Sequence, residues 1–255
     1  MKVVIISRKR PAIACKTSLR LFPDALVSIS EEDVEDYANA GVKESQMLVH
    51  PNEMKGVTKK RNWVLRNIED ETCVTVDDDL KGLICFTGKF GRHIKDPEDI
   101  NQILLNSETI AKGIRTPMFS FSNVGTDIRK YIPHKPFHVV GYPTGVHGMI
   151  GRNLWYDEKL TSHEDVDMGL QVVRKYRIIW IDLRFSFFQQ VSTGMMAGGR
   201  AGTYAKKDEV EGERYLKRKW GAHYKFSKWQ KGTTKSVIVV QREQTGLILP
   251  HQTKA

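Results

Sequence analysis

Residues 77 to 79 are three consecutive aspartates, Asp77, Asp78 and Asp79, directly behind the apolar run 72–76. Adjacent carboxylates repel, so such a run calls for a counter-charge. Carboxylates two residues apart suit a divalent cation, which prefers hard oxygen ligands and cancels the repulsion. On an extended chain Asp77 and Asp79 project to one side and Asp78 to the other. A cation held there and bound to a diphosphate would stabilise a departing phosphate. The competing reading is a polar turn after a buried strand.

A second acidic cluster lies in "SHEDVD", residues 162–167. At a helix N-terminus the dipole favours Glu164 and Asp165, so capping is one reading. The chemical reading makes one carboxylate a general base that takes the proton of an acceptor hydroxyl. Asp167 falls either on the buried side or beside an Arg.

The third feature is charge. The chain carries a formal +10, and eight basic residues with no acid fall between Arg214 and Lys235. Trp220, Tyr224, Phe226 and Trp229 interleave with Lys217, Arg218, Lys219, Lys225 and Lys228. A basic stripe with aromatic faces suits a phosphate backbone and its bases. A solvated helix with its aromatics in the core is the alternative.

The elements that must position these groups alternate through the first third. Strands are predicted at 2–7, 25–30, 46–51 and 72–76, with helices at 17–22, 31–41 and 56–68. Ser30 with Asp33 resembles a capping box, and Gly41 closes the second helix. This rhythm implies an α/β fold with a mostly parallel sheet covered on both faces. Ligands of such sheets bind at the carboxyl ends of the strands, where Ser7-Arg8 and the Asp triplet both fall. There is no Gly-x-Gly-x-x-Gly after the first strand and no Walker loop, which lowers the dinucleotide and P-loop readings. Further on, helices are predicted at 98–113 and 162–176, the latter with Ser162 as N-cap. Strands or strand ends are expected at 118–123, 137–141, 148–153, 177–182, 184–188 and 236–241. A Gly-rich stretch spans 192–203.

At 255 residues, 40% hydrophobic and 27% charged, the chain can bury a large core. No apolar run of about 18 residues marks a membrane span, and the N-terminus enters a short strand rather than a signal peptide. A cytoplasmic protein without membrane contact is expected. Cys15, Cys73 and Cys85 lack metal-ligand spacing and fit a reducing compartment.

The ordered set of a first strand, Ser-Arg, the "KKRN" helix, "VDDD" and "GMIGRNLWYDEKLTSHEDVDMGLQVVRKYRIIWID" resembles a glycosyltransferase of the GT-A fold over residues 2–195. The resemblance implies one domain over 1–255. Its nucleotide-sugar half would be 1–80 and its acceptor half 81–195, followed by a Gly-rich loop and basic segment over 196–255. It also implies a nucleotide-sugar donor, a UDP-sugar, lined by Ser7, Arg8, Lys60, Arg61, Asn62, Asp77 and Asp78. Asp79 and Asp77 would hold the Mn²⁺ or Mg²⁺ against the diphosphate. Asp165 would be the base of an inverting displacement, with Glu164 orienting acceptor or sugar. Arg200 would add positive charge at the leaving diphosphate. One departure stands out: many such enzymes have a metal-binding His where this chain has "FFQQVSTGMMAGG", so Gln189 or Gln190 occupies that neighbourhood. His223 and His251 are candidate substitutes.

At finer grain, "SRKRP…TSLRLFPDALVSI…DYANAGV", "VHPNEMKGVTKKRNWVL" and "VTVDDDL" are similar to the phage TET-associated glycosyltransferases, which modify hydroxymethylated pyrimidines in DNA. The implied acceptor is such DNA. Lys217, Arg218, Lys219, Lys225 and Lys228 would grip phosphates, and Trp220 or Trp229 would stack on a base or fill the gap of a flipped nucleotide.

Overall fold

Val4 and Ile5 are neighbours on the first strand and both fully buried, one against each face of the sheet. Burial on both sides explains the unbroken apolar run and requires helices on both faces. The computed structural model, which describes residues 1–88, 91–189, 206–228 and 234–239, supplies them. Strands β1 (Lys2–Ile6), β2 (Leu26–Ser30), β3 (Met47–His50) and β4 (Thr72–Asp77) alternate with helices α1 (Pro11–Lys16), α2 (Ser18–Leu21), α3 (Val34–Asn39) and α4 (Val57–Asn67). Next come β5 (Leu80–Cys85), β6 (Arg92–Ile94), α5 (Pro97–Gly113), β7 (Met118–Ser122), β8 (Phe137–His138) and β9 (Val146–Ile150). The described chain closes with α6 (Glu164–Tyr176), β10 (Trp180–Gln189), α7 (Lys206–Trp220), β11 (Tyr224–Lys228) and β12 (Thr234–Ile238).

Among the described residues, one ten-stranded sheet has the order β3-β2-β1-β4-β9-β7-β10-β5-β6, with β8 beside β10. Strands β3, β2, β1, β4, β7 and β10 run in one direction, and β9 is inserted antiparallel between β4 and β7. The fold class is the expected one, α/β and Rossmann-like, with a mostly parallel sheet covered by helices. Its consequence for the site is direct. β9 starts where β4 ends, with Val146 beside Val76, so the carboxyl edge of the parallel strands meets the segment that leads into β9.

Several elements depart from the sequence reading. Residues 11–16 form a helix that starts at Pro11, a residue suited to a first turn because its missing N–H would have no intrahelical partner. β5 and β6 follow the Asp triplet as a hairpin that the apolar pattern did not separate from a loop. The two short strands expected at 177–182 and 184–188 are one strand, β10, whose pairing with β7 shifts register between Asp182 and Ser186. Ser162 is not the N-cap of α6; His163 holds that place in a left-handed conformation (φ 60°) without a side-chain cap bond. Likewise Ser30 and Asp33 bond each other at 2.8 Å instead of capping the backbone. The Gly-rich stretch at 192–203 lies outside the described residues.

α6 is buried on two sides. Met168, Val172 and Val173 pack on the sheet with α4 residues Val64 and Leu65. Val166 and Leu170 pack with Leu216 and Trp220 of α7. Arg152 fixes the far end of α4 by donating to the carbonyls of Leu65 (2.6 Å), Ile68 (2.9 Å) and Asp70 (2.8 Å), the orphan acceptors of a helix C-terminus. Among the described residues no helix is long and apolar enough to cross a membrane.

Candidate active site

The pairing of Ile6 with Asp77 brings the ends of β1 and β4 together, so Ser7 and the Asp triplet share one edge. There the three aspartates part company. Asp78 is fully buried, and its carboxylate is gripped by the forked guanidinium of Arg10 and by the Ser7 hydroxyl. Ser7 gives its only proton to Asp78, so Tyr37 donates its own hydroxyl to Ser7 Oγ. Burial pushes the Tyr37 phenol up to about 12, which keeps that proton in place. Thr17 donates to the Asp78 carbonyl at 2.7 Å and Ser18 to the Asp77 carbonyl at 2.6 Å. The N-terminal helices thus clamp the triplet's backbone. Asp78 and Ser7, expected in the donor pocket, belong to this buried frame instead.

Asp77 and Asp79 remain at the cleft surface, with side chains 33% and 21% exposed. Asp77 receives a hydrogen bond from Gln189 Nε2 at 3.0 Å, and Arg61 Nη2 lies 3.6 Å from its other oxygen. Burial raises the Asp77 carboxyl to about 7; Arg61 opposes the rise, and Asp79, Asp78 and Glu164 add to it. Arg10 Nη1 lies 3.8 Å from Asp79 Oδ2, whereas Asp79 Oδ1 is buried without a partner. Opposite the triplet, then, stand two arginines, and they leave its charge incompletely matched. An orphaned carboxylate oxygen and a carboxyl driven toward protonation are both relieved when a cation binds beside them. Gly145 adds to the fit, because a Cβ there would collide with Asp77 Oδ2. Among the described residues no group of three or more His, Cys, Asp or Glu side chains is arranged for a metal. Asp77 and Asp79 are therefore the carboxylates left for a cation, whose remaining ligands would have to come from other oxygen groups.

α4 carries the basic residues expected near the donor. Lys60 is buried, donates to the Ser7 carbonyl at 3.1 Å, and is lowered to about 8 by desolvation, with the Arg8 charge acting in the same direction. Arg8 is half-buried at the same edge. Asn62 is turned away from any ligand. Its amide accepts from Tyr156 N at 2.9 Å and donates to Tyr156 O and Glu158 at 2.9 Å, stitching α4 to the segment before α6. Arg61 reaches furthest. It donates to Glu164 Oε1 at 3.0 Å, lies beside Asp77, and rests 5.4 Å from the centroid of the Tyr156 ring. Tyr156 in turn donates to His147 Nε2 at 2.6 Å. His147 Nδ1, facing the Thr144 carbonyl at 2.6 Å, must carry the ring proton. Burial and the nearby Arg61 charge lower His147 to about 3, so it stays neutral.

Glu164 and Asp165 occupy the first turn of α6, where the dipole favours negative charge. Arg61 therefore connects the two acidic clusters that the sequence keeps about ninety residues apart.

No family model and no curated protein matches the chain. Among solved structures it is similar to S. aureus TarS 1-349, at 15% identity and TM-score 0.49, over 85% of this chain and 64% of that one. It thus spans less than two thirds of that protein. A second likeness is to TarS 1-349 in complex with UDP-GlcNAc, at 15% identity and TM-score 0.48, over 85% of this chain and 65% of that one. A third is to a mycobacterial protein, at 12% identity and TM-score 0.51, over 94% of this chain and 84% of that one. What is shared is the fold.

The basic segment is divided by its structure. Lys219 bonds Asp157 at 2.7 Å and lies 2.8 Å from Asp167, while Trp220 Nε1 donates to Asp167 at 2.7 Å. Tyr215 donates to Asp157 at 2.7 Å, and Tyr224 is fully buried. Asp167 is on the buried side and its cation is a lysine. These contacts fasten α7 to α6, so Trp220 is buried rather than open to a nucleic acid as expected, and Lys219, though exposed, already has its charge engaged by two carboxylates. Gly212 makes this fit possible, since a Cβ there would strike the Ser162 hydroxyl. Arg214, Lys217, Arg218 and Lys225 face outward. Lys228 lies on β11, but its side chain, Arg200, Gln190, Trp229 and His251 lie outside the described residues. His223 faces the Val239 carbonyl at 3.3 Å and makes no hydrogen bond or ion pair with the acidic cluster.

Arg10, Tyr37, Gly145 and His147 were not singled out in the sequence. Arg10 had a signal: it is the third basic residue after Ser7 in "SRKRP", one position before the helix-starting Pro11. The others had none, because only tertiary contact gives them a part.

Proposed function

We propose that the protein is a metal-dependent glycosyltransferase that moves a sugar from a UDP-sugar onto the hydroxyl of a hydroxymethylated pyrimidine in DNA, with inversion. The observation that carries this reading is the meeting of Asp77 and Glu164 on Arg61. One guanidinium touching a carboxylate at the end of β4 and another at the start of α6 supports a donor site and an acceptor site side by side.

Asp77 and Asp79 would hold Mn²⁺ or Mg²⁺, which supplies electrophilic stabilisation of the leaving diphosphate. Lys60 and Arg8 line the nucleotide side at the end of β1. Asp165 takes the proton of the acceptor hydroxymethyl group, a primary alcohol that is unreactive at neutral pH without a base. Glu164, held by Arg61, orients the reactants. Arg214, Lys217, Arg218 and Lys225 form the outward cationic face that would meet phosphates.

The test offers a panel of UDP-sugars with Mn²⁺ to plain DNA and to DNA carrying 5-hydroxymethylcytosine or 5-hydroxymethyluracil. A mass gain of one sugar on hydroxymethylated DNA alone is expected. Metal-dependent hydrolysis of a UDP-sugar with no gain on any DNA would keep the transferase and discard the DNA acceptor.

The burial of Trp220 and Tyr224, and the engagement of Lys219 and Tyr215 by Asp157, favour one other reading, a glycan, protein or small-molecule acceptor. Transfer to such an acceptor and not to DNA would establish it.

A further inference from the structure

Arg61 is more than nine-tenths buried, yet it is incompletely satisfied. Two of its nitrogens face carboxylates, Nη1 toward Glu164 at 3.0 Å and Nη2 toward Asp77 at 3.6 Å. Its Nε is buried without any partner. The guanidinium is held from below by the Tyr156 ring, which is anchored through its hydroxyl to neutral His147. Around it stand Asp77, Glu164 and Asp165, all close enough to act on its charge.

This arrangement has a consequence for any cation bound by Asp77. The guanidinium already serves as counter-charge to that carboxylate, and two positive groups on one carboxylate repel strongly in a poorly hydrated site. Glu164 is the alternative partner, and its contact is the shorter of the two.

We infer that Arg61 is a positioning residue that couples cation occupancy at Asp77 to Glu164: a divalent cation on Asp77 displaces Arg61 from that carboxylate and draws it onto the acceptor-side one. Emptying the cation site lets Arg61 return to bridging both. The coupling is reciprocal, so while Arg61 is present, losing Glu164 as its partner weakens cation binding. This inference rests on the metal site proposed above.

The experiment is a double-mutant cycle read by Mn²⁺ binding, followed by electron paramagnetic resonance of free Mn²⁺ on the full chain. Thermal melting of each variant serves as the folding control. Arg61→Met removes the competing charge and should tighten Mn²⁺ about tenfold. Glu164→Gln leaves Arg61 on Asp77 and should weaken Mn²⁺ by a similar factor. In the Arg61→Met background, Glu164→Gln should have little further effect. Arg61→Lys keeps the charge and should keep the Glu164→Gln effect, which makes the test possible if Arg61→Met does not fold.

A purely structural Arg61 would give the opposite sign for Arg61→Met, with Mn²⁺ weakened along with stability. An equal Glu164→Gln effect in both backgrounds would show simple attraction of Mn²⁺ by Glu164 and overturn the coupling alone. No Mn²⁺ binding by the folded parent chain, with or without UDP, would overturn the metal site and the coupling together.

Discussion

Arg61 and Glu164 face each other at 3.0 Å, the one from the first half of α4 and the other from the first residue of α6. The pair joins α4 to α6. With Arg61 also beside Asp77, it makes one site of two acidic clusters.

The proposed base is tested most directly at the neighbouring residue. Asp165→Asn keeps the size and removes the proton acceptor, so transfer should fall by about 10²–10⁴-fold while UDP-sugar affinity stays near the parent value. Single-turnover transfer and calorimetric UDP-sugar binding read the two separately. A variant that loses both, yet melts normally, would take the base role from Asp165.

Arg10 should matter for stability before it matters for chemistry. Removing it by Arg10→Met leaves the carboxylate of Asp78 buried with Ser7 as its remaining side-chain partner. The expected loss is about 3–5 kcal/mol, read from the urea midpoint. The compensated pair Arg10→Met with Asp78→Asn should recover part of that loss.

The raised Asp77 carboxyl predicts a pH dependence with a defined sign. Its folded value, about 7, lies above the ordinary value of 3.8, so the folded state takes up a proton more readily. Between about pH 4 and 7 stability should therefore fall as pH rises, and the penalty is complete above 7. Asp77→Asn should stabilise the cation-free protein at pH 8 by about 1–2 kcal/mol, allowing for solvent screening at its partly exposed side chain, and by little at pH 4. Melting across that range with a chelator present checks it. Adding Mn²⁺ should raise the melting temperature of the parent at pH 8 and leave Asp77→Asn unmoved.

The divided basic segment separates binding from folding. Replacing Arg214, Lys217 and Arg218 together by Ala should weaken DNA binding and lower the slope of log K against log salt by about 3, with normal melting. Trp220→Phe should do the reverse. It removes a hydrogen bond to buried Asp167 and should cost about 1–3 kcal/mol of stability, while DNA affinity in the remaining folded protein is unchanged. An unaltered salt slope in the triple variant would remove α7 from the acceptor site.

Much of the frame was legible because it depends on local pattern. The apolar runs at 2–6, 26–30 and 72–76 identify strands buried on both faces, and their alternation with helical segments implies the parallel order. Helices α5 and α6 were read within two residues of their ends because their apolar stripes repeat at helical spacing. β5 and β6 escaped notice, since a short apolar run after a polar turn looks the same in a hairpin and in a loop. His163 was missed as the residue starting α6, because a left-handed cap on a non-glycine residue reflects how α7 and α6 close on it, not its own preference.

For the candidate site the division is sharper. Residue type and spacing alone determined that carboxylates stand at the end of β4 and at the start of α6, that cations begin α4, and that the C-terminal region is basic. Which of them face a ligand was decided only in three dimensions. Asp78 and Asp79 are identical in type and adjacent in the chain, yet one is neutralised inside the protein by Arg10 and the other keeps an unmatched oxygen. Lys217 and Lys219 likewise differ by two positions on one helix, and only the second finds buried carboxylates. The physical reason is that charge is a property of the side chain, whereas its partner and its access to water belong to the packing around it.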